Sequence, residues 1–258
     1  MYIHNLNPIA LEIFQLKIYW YSLSYIFGFI LSLYYSKFLI RNYYHKFDEK
    51  NIDDFLTWAV LGVILGGRMG YIVFYNFDFY ANNPVEIIKI WQGGMSFHGG
   101  LIGLVFSIFL FSSLNKISFI ILSEIVASCA PIGLFLGRIA NFINGELYGK
   151  PTNGEWGVIF DTTTMIPRHP SQLYEAFFEG VIIFFIIFFL YKSKKYKIFY
   201  PSSIFLILYS LFRIFIEFFR EPDEHIGFIF GYFTLGQLLS IPMIILGLIL
   251  MKFKRNDF

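Results

Sequence analysis

Several side chains in GRIANFINGELYG, residues 137–149, have the chemistry to hold an anion or move a proton at the end of an apolar run. That run starts near Phe119 and is long enough to cross a bilayer, yet it ends in Arg138, Asn141, Asn144 and Glu146. Ionisable groups at membrane depth cost about 2.5–3.5 kcal/mol each on insertion scales, so they face a cavity, a partner or a substrate. Arg138 and Asn141 are three apart and share a helix face. Gly145 and Gly149 are expected to end that helix and begin an external loop, with Asn and Gly as C-cap chemistry the simpler reading.

A second polar stripe lies on a later apolar run. Tyr209, Arg213, Glu217 and Arg220 stand at i, i+4, i+8 and i+11, which on a helix places them at roughly 0°, 40°, 80° and 20°. Such a stripe faces protein or water. It is either an internal Arg213–Glu217 ion pair that orients helices or a carboxylate aiming an arginine at a phosphate. Arg138 favours the second, because several arginines beside one cavity suit an anionic group.

A third group is WQGGMSFHGG, residues 91–100, with four glycines around His98. Glycine pairs permit a tight turn into the following span and bring backbone close to a ligand. His98 is either satisfied by a backbone carbonyl or functional. No second His or Cys stands at ligand spacing, so no metal is expected. In RHPSQLYE, residues 168–175, Pro170 and Ser171 resemble a helix start with Glu175 in its first turn, and capping explains most of it. Arg168 and His169 there are placed to meet lipid headgroups.

The elements that must position these groups are membrane helices. The chain has 258 residues, 57% hydrophobic and 15% charged, with mean hydropathy +0.61; a soluble domain would carry about 25% charged residues. Apolar runs predict seven spans near 18–40, 54–76, 97–114, 119–142, 174–191, 199–218 and 233–251. The expected fold is therefore all-α and polytopic, with one integral membrane domain over 1–258. The alternating strands of an outer-membrane barrel are absent, and residues 1–17 lack the pattern of a cleavable signal peptide. Gly62, Gly66 and Gly70, like Gly99/Gly103 and Gly133/Gly137, have the spacing of close helix packing. Cys129 cannot form an internal disulfide and reads as a small buried side chain. The net charge of +2 is spread over loops and gives no reason to expect nucleic acid.

Lysine and arginine predict orientation. One set of loops holds Lys37, Arg41, Lys46, Lys50, Lys116, Lys192, Lys194, Lys195, Lys197, Lys252, Lys254 and Arg255; the opposite set holds Lys17, Lys89, Lys150, Arg168 and Arg220. The first set is expected in the cytoplasm, with the N-terminus outside and the C-terminus inside. Segments 91–100, 143–173 and 219–231 then all face outward and suggest one shared site.

Taken together, the motifs resemble the prolipoprotein diacylglyceryl transferases of bacterial inner membranes. YWYSL at 19–23, GGRMGYIVFYN at 66–76, WQGGMSFHGGLIG at 91–103, GRIANFINGELYG at 137–149, RHPSQLYEA at 168–176, FRIFIEFFREPD at 212–223 and GYFTLGQLLSIPM at 231–243 follow the family's order over nearly the whole chain. Ala140, Tyr148, Lys150 and Ser22 depart from common family residues, and Lys150 suits bidentate phosphate contact less than arginine. The resemblance implies transfer of a diacylglyceryl group from phosphatidylglycerol to the lipobox cysteine of a prolipoprotein signal peptide, with glycerol phosphate released and no cofactor. It implies catalytic roles for His98, Arg138, Tyr209 and Arg213, and substrate binding by Tyr21, Asn141, Glu146, Gly149, Glu217 and Arg220. It also places the protein in the inner membrane among membrane lipid, with its active site toward the periplasm.

Two other readings compete. A lipid or small-molecule transporter would line a path through the bilayer, but the polar groups gather on one side. An intramembrane hydrolase would use Ser96 or Ser171, neither of which lies in a GxSxG turn.

Overall fold

The computed structural model describes residues 1–14, 16–193, 197–221, 227, 229 and 231–252. Lys194, Lys195, Lys254 and Arg255 of the basic loops, and 222–226, 228 and 230 of the outward segment, lie outside the described residues. Long apolar runs form the helices: α1 (Trp20–Tyr43), α2 (Glu49–Tyr75), a short α3 (Phe77–Asn82), α4 (Phe97–Asn115) and α5 (Phe119–Asn144). Next come α6 (Ser171–Glu175), a π-helical turn (Ala176–Ile182) and α7 (Ile183–Lys192), continuous as one 22-residue helix, then α8 (Tyr200–Ile216) and α9 (Leu235–Lys252). Six of these helices are long and apolar enough to cross a membrane, and α8 is a shorter apolar one. The chain is thus a polytopic helical membrane protein, with all seven expected spans present as helices.

Some short strands escaped the sequence reading. A parallel pair of β1 (Tyr2–Ile3) and β4 (Val158–Ile159) continues antiparallel into β5 (Pro167–Arg168). A hairpin of β2 (Ile9–Ile13) and β3 (Leu16–Tyr19) precedes α1. Strands of two residues are too short to show a period of two.

The chain divides into two compact units, 1–36 with 124–258, and 37–123. In the second unit α2 and α4 pack through glycine. A Cβ on Gly66 would meet Gly99 O and lie 2.7 Å from Gly103 Cα, so only glycine allows this approach. Gly133 and Gly137 serve no such contact, since a Cβ there would meet nothing within 4 Å among the described residues. At the other end of α2, Asp48 accepts from Lys50 N, and Arg41 grips Glu49 with both nitrogens at 2.6 and 2.7 Å.

In the first unit α8 packs against α9. The start of α9 is fixed reciprocally: Thr234 Oγ1 accepts from Gln237 N, and Gln237 Oε1 accepts from Thr234 N, each at 3.2 Å. Cys129 is free and buried, its Sγ 3.2 Å from Ser36 Oγ.

Candidate functional site

Three arginines and three glutamates meet inside the first unit. Glu175 is the hub, fully buried, and ends α6. Its Oε1 accepts from Arg213 Nη1 at 2.5 Å, and Arg220 Nε stands 3.6 Å from the same oxygen. Arg138 Nε approaches its Oε2 at 3.0 Å. Glu217, also buried, pairs through Oε1 with Arg213 Nη2 at 2.6 Å and Arg220 Nη1 at 3.4 Å. Glu179 completes the group, 4.0 Å from Arg213 Nη1. Tyr209, one turn before Arg213, faces Glu179, Arg213, Arg138 and Glu175 electrostatically.

Local structure explains the convergence. α5 runs to Asn144 and is ended by Gly145 at φ +68°, which carries Arg138 and Asn141 on its last turns. The π turn widens the helix directly after Glu175, a feature frequent at functional sites. A Cβ on Gly180 would fall 2.6 Å from Phe135 Cβ, so this turn and α5 pack closely only because residue 180 is glycine. Gly236 on α9 does the same for the pair opposite: a Cβ there would lie 2.6 Å from Glu217 Oε1 and 3.0 Å from Arg213 Nε.

Arg220 joins the cluster from just beyond α8, three residues after Glu217 as expected from the stripe. α8 ends at Ile216, with Glu217 as its C-cap. The carbonyl of Phe219 instead accepts from Lys150 N at 2.9 Å, and that of Phe218 from Lys150 Nζ at 3.0 Å. Arg220 then bridges Gly149. Arg220 N still donates to Ile216 O at 3.1 Å, so helical spacing carries Arg220 to Glu217.

Asn141 links the cluster to a polar edge. Its Oδ1 is 3.5 Å from Arg138 Nη1, and its Nδ2 donates to Glu146 Oε1 at 2.7 Å. Glu146 lines a pocket of about 390 Å³ with Tyr19, Tyr21, Ser22 and Asn144. Tyr21 therefore stands with Glu146, not among the arginines' ion pairs. Gly149 is buried, and a Cβ on it would lie 2.7 Å from His169 Cβ and O. Its small size seats the 149–150 backbone against His169 and Phe219.

His98 belongs to the second unit, on the first turn of α4, exposed and edge-on to Phe97. Gly93 and Gly94, at φ +85° and +74°, make the tight turn expected before it. Ser96 Oγ caps α4 by accepting from Gly99 N at 3.2 Å, and Ser171 Oγ donates to Leu147 O at 3.1 Å. Both hydroxyls of the hydrolase reading thus have structural partners. In the loop, Arg168 pairs with Glu221 at 2.8 Å and lies over the Tyr148 ring. Partial burial holds His169, 3.2 Å from Tyr174 Oη, below the usual imidazole range. Among the described residues no three His, Cys, Asp or Glu side chains are grouped to hold a metal ion.

Glu175 and Glu179 were not expected as site residues. Capping does not describe Glu175: the N-cap of α6 is Pro170, with no side-chain cap bond. The available signal was two carboxylates, four apart, inside an apolar span.

Fold and site together define a multi-pass membrane protein with a buried arginine–carboxylate centre toward one end of its helices. Residues 8–253 match the family described as prolipoprotein diacylglyceryl transferase. The chain is 52% identical over 247 residues to the phosphatidylglycerol–prolipoprotein diacylglyceryl transferase of Rickettsia felis, covering 94% of this chain and 95% of that one. It is 51% identical over 250 residues to the protein of the same name in Rickettsia typhi, with 96% of each chain covered. The chain belongs to the prolipoprotein diacylglyceryl transferase family.

Proposed function

We propose that this chain is a transferase that moves the diacylglyceryl group of phosphatidylglycerol onto the lipobox cysteine of a prolipoprotein signal peptide. The observation that carries this reading is the buried centre of Arg138, Arg213 and Arg220 held by Glu175 and Glu217 in a chain of this family. Guanidinium groups fixed by carboxylates are preorganised donors for a phosphate. In a dry pocket they stabilise charge best where it develops.

The nucleophile is the substrate's thiolate, so the enzyme needs no reactive cysteine of its own, and Cys129 is buried. The thiolate attacks the glycerol carbon bearing the phosphate ester. A C–S bond forms and the C–O bond breaks, with its electron pair leaving on the phosphate oxygen. The products are a thioether and glycerol phosphate. Arg138 and Arg213 meet the charge on that oxygen, while Asn141 and Tyr209 donate to the headgroup. Tyr21, Glu146 and Gly149 shape the polar edge, and Glu217 and Arg220 hold the arginine geometry. His98 takes the thiol proton, as an imidazole nitrogen with a free lone pair can. Tyr209 beside Arg213 is the competing base. Near-full transfer by His98→Gln would remove the histidine from that role.

The whole chain acts as one transferase domain. The basic loops lie in the cytoplasm, the N-terminus outside and the C-terminus inside. The site then opens to the periplasmic side of the inner membrane, with no nucleic-acid partner. Phosphorus NMR of phosphatidylglycerol liposomes tests the reaction. Glycerol phosphate should appear only with a lipobox peptide and not with its Cys→Ser counterpart. Release that ignores the peptide would indicate a hydrolase instead.

A further inference from the structure

The turn that carries Glu146 is held from two sides. On one side stands the start of α6, where Gln172 Nε2 donates to Glu146 O at 2.6 Å and Ser171 Oγ to Leu147 O at 3.1 Å. On the other stands a residue from the far end of the chain, His4. Its Nε2 lies 2.7 Å from Phe142 O. A carbonyl only accepts, so Nε2 carries a proton and donates it.

Phe142 O belongs to the last turn of α5, where helix carbonyls lack intrahelical partners. Gly145 N also donates to it, at 3.0 Å, and Glu146 N donates to Asn141 O at 3.1 Å. His4 is itself fixed over this turn. Its N–H donates to Ile159 O at 2.9 Å, next to the β1–β4 pairing. Its ring meets Phe142 edge-on at 5.6 Å and Phe160 at 5.3 Å between centroids. A Cβ on Gly145 would lie 3.2 Å from His4 Cε1, so the glycine leaves room for the ring.

The turn delivers Glu146. Glu146 Oε1 accepts from Asn141 Nδ2 at 2.7 Å and from Asn144 Nδ2 at 3.3 Å, and Asn141 Oδ1 faces Arg138. A shift of the turn therefore moves the carboxylate that orients Asn141.

We propose that His4 is a positioning residue for headgroup binding: by fastening Phe142 O it sets the Gly145 turn, and through Glu146 it aims Asn141. The inference rests on the phosphatidylglycerol reading above. Neither His4 nor β1 touches the arginine centre, so the effect travels through this one turn.

The test uses the full chain in vesicles of phosphatidylglycerol and phosphatidylcholine with a lipobox peptide. His4→Phe keeps a ring beside Phe142 and Phe160 but has no donor. Its KM for phosphatidylglycerol should rise about fivefold, the weight of one hydrogen bond, with kcat little changed. His4→Gln places an amide nitrogen the same number of bonds from Cα and should restore the wild-type KM. In a Glu146→Ala background His4→Phe should add little, because the two act through one turn. Hydrogen exchange of peptides covering 140–150 should be faster in His4→Phe and normal in His4→Gln. His4→Leu serves if His4→Phe does not fold. A wild-type KM in the folded variant, a rise that His4→Gln shares, full additivity with Glu146→Ala, or unchanged exchange would each overturn the proposal. Exchange reads the turn whether or not transfer occurs. A wild type that transfers nothing would count against the transferase reading alone.

Discussion

Arg68 and Arg213 are both largely buried arginines on apolar helices, and they are held in opposite ways. Arg68, in the second unit, spends its nitrogens on backbone carbonyls: Nε on Ile87 O, Nη1 on Gly93 and Gly94 O, Nη2 on Glu86 and Lys89 O, at 2.6–3.3 Å. Its plane lies over the Tyr80 ring. This arginine fastens the segment 84–94 to α2 and has nothing left for a ligand. Arg213, in the first unit, faces Glu175, Glu179 and Glu217 instead. Carbonyls fix a cation without changing charge. Carboxylates shared among several arginines hold guanidiniums whose remaining donors can meet a bound anion. Burial alone therefore does not mark a functional arginine; the kind of partner does.

The largest effect expected from this contrast is at the carboxylate-bound arginines. Arg213→Ala and Arg138→Ala should each lower kcat by about 10²–10³-fold, the loss typical of one preorganised donor. A peptide-lipidation assay on folded protein checks this, and near-wild-type rates would place the phosphate elsewhere. Glu175→Gln comes next. It weakens an acceptor that three arginines share, and removing one partner of a buried pair costs about 3–5 kcal/mol. Thermal unfolding in nanodiscs should show the lowered stability.

Arg68→Lys sharpens the comparison from the other side. An ammonium has three donors on one atom and cannot span five carbonyls. The midpoint of unfolding should fall, while KM for phosphatidylglycerol of the folded fraction stays at the wild-type value. A raised KM would blur the distinction between the two arginines. The smallest effect belongs to Gly236→Ala. Its methyl would press on Glu217 and Arg213, and overpacking costs typically about 1–3 kcal/mol. A raised KM with little loss of fold is the expected result in the same assay.

Much of this was legible in the sequence. The helices follow from apolar runs long enough to span, and family membership from motifs in a fixed order. Arg138, Arg213 and Glu217 stand out because charge in an apolar helix needs a reason. Glu175 did not, since its place after Pro170 and Ser171 also suits a helix start, and only tertiary contact separates the two uses. Glu179 sits in FFEGV, where the π turn that brings it to the centre has no sequence signature. Helical period placed Arg220 beside Glu217, and the structure keeps it there just beyond α8, with Arg220 N donating to Ile216 O at 3.1 Å.

The most direct test of the central claim is the mass of a lipobox peptide after incubation with the purified protein in phosphatidylglycerol liposomes. A gain of one diacylglyceryl group on the cysteine, lost with Arg213→Ala and absent from the Cys→Ser peptide, is the predicted result. An unchanged mass with folded protein and intact lipid would contradict the transferase account and make lipid transport the next assay.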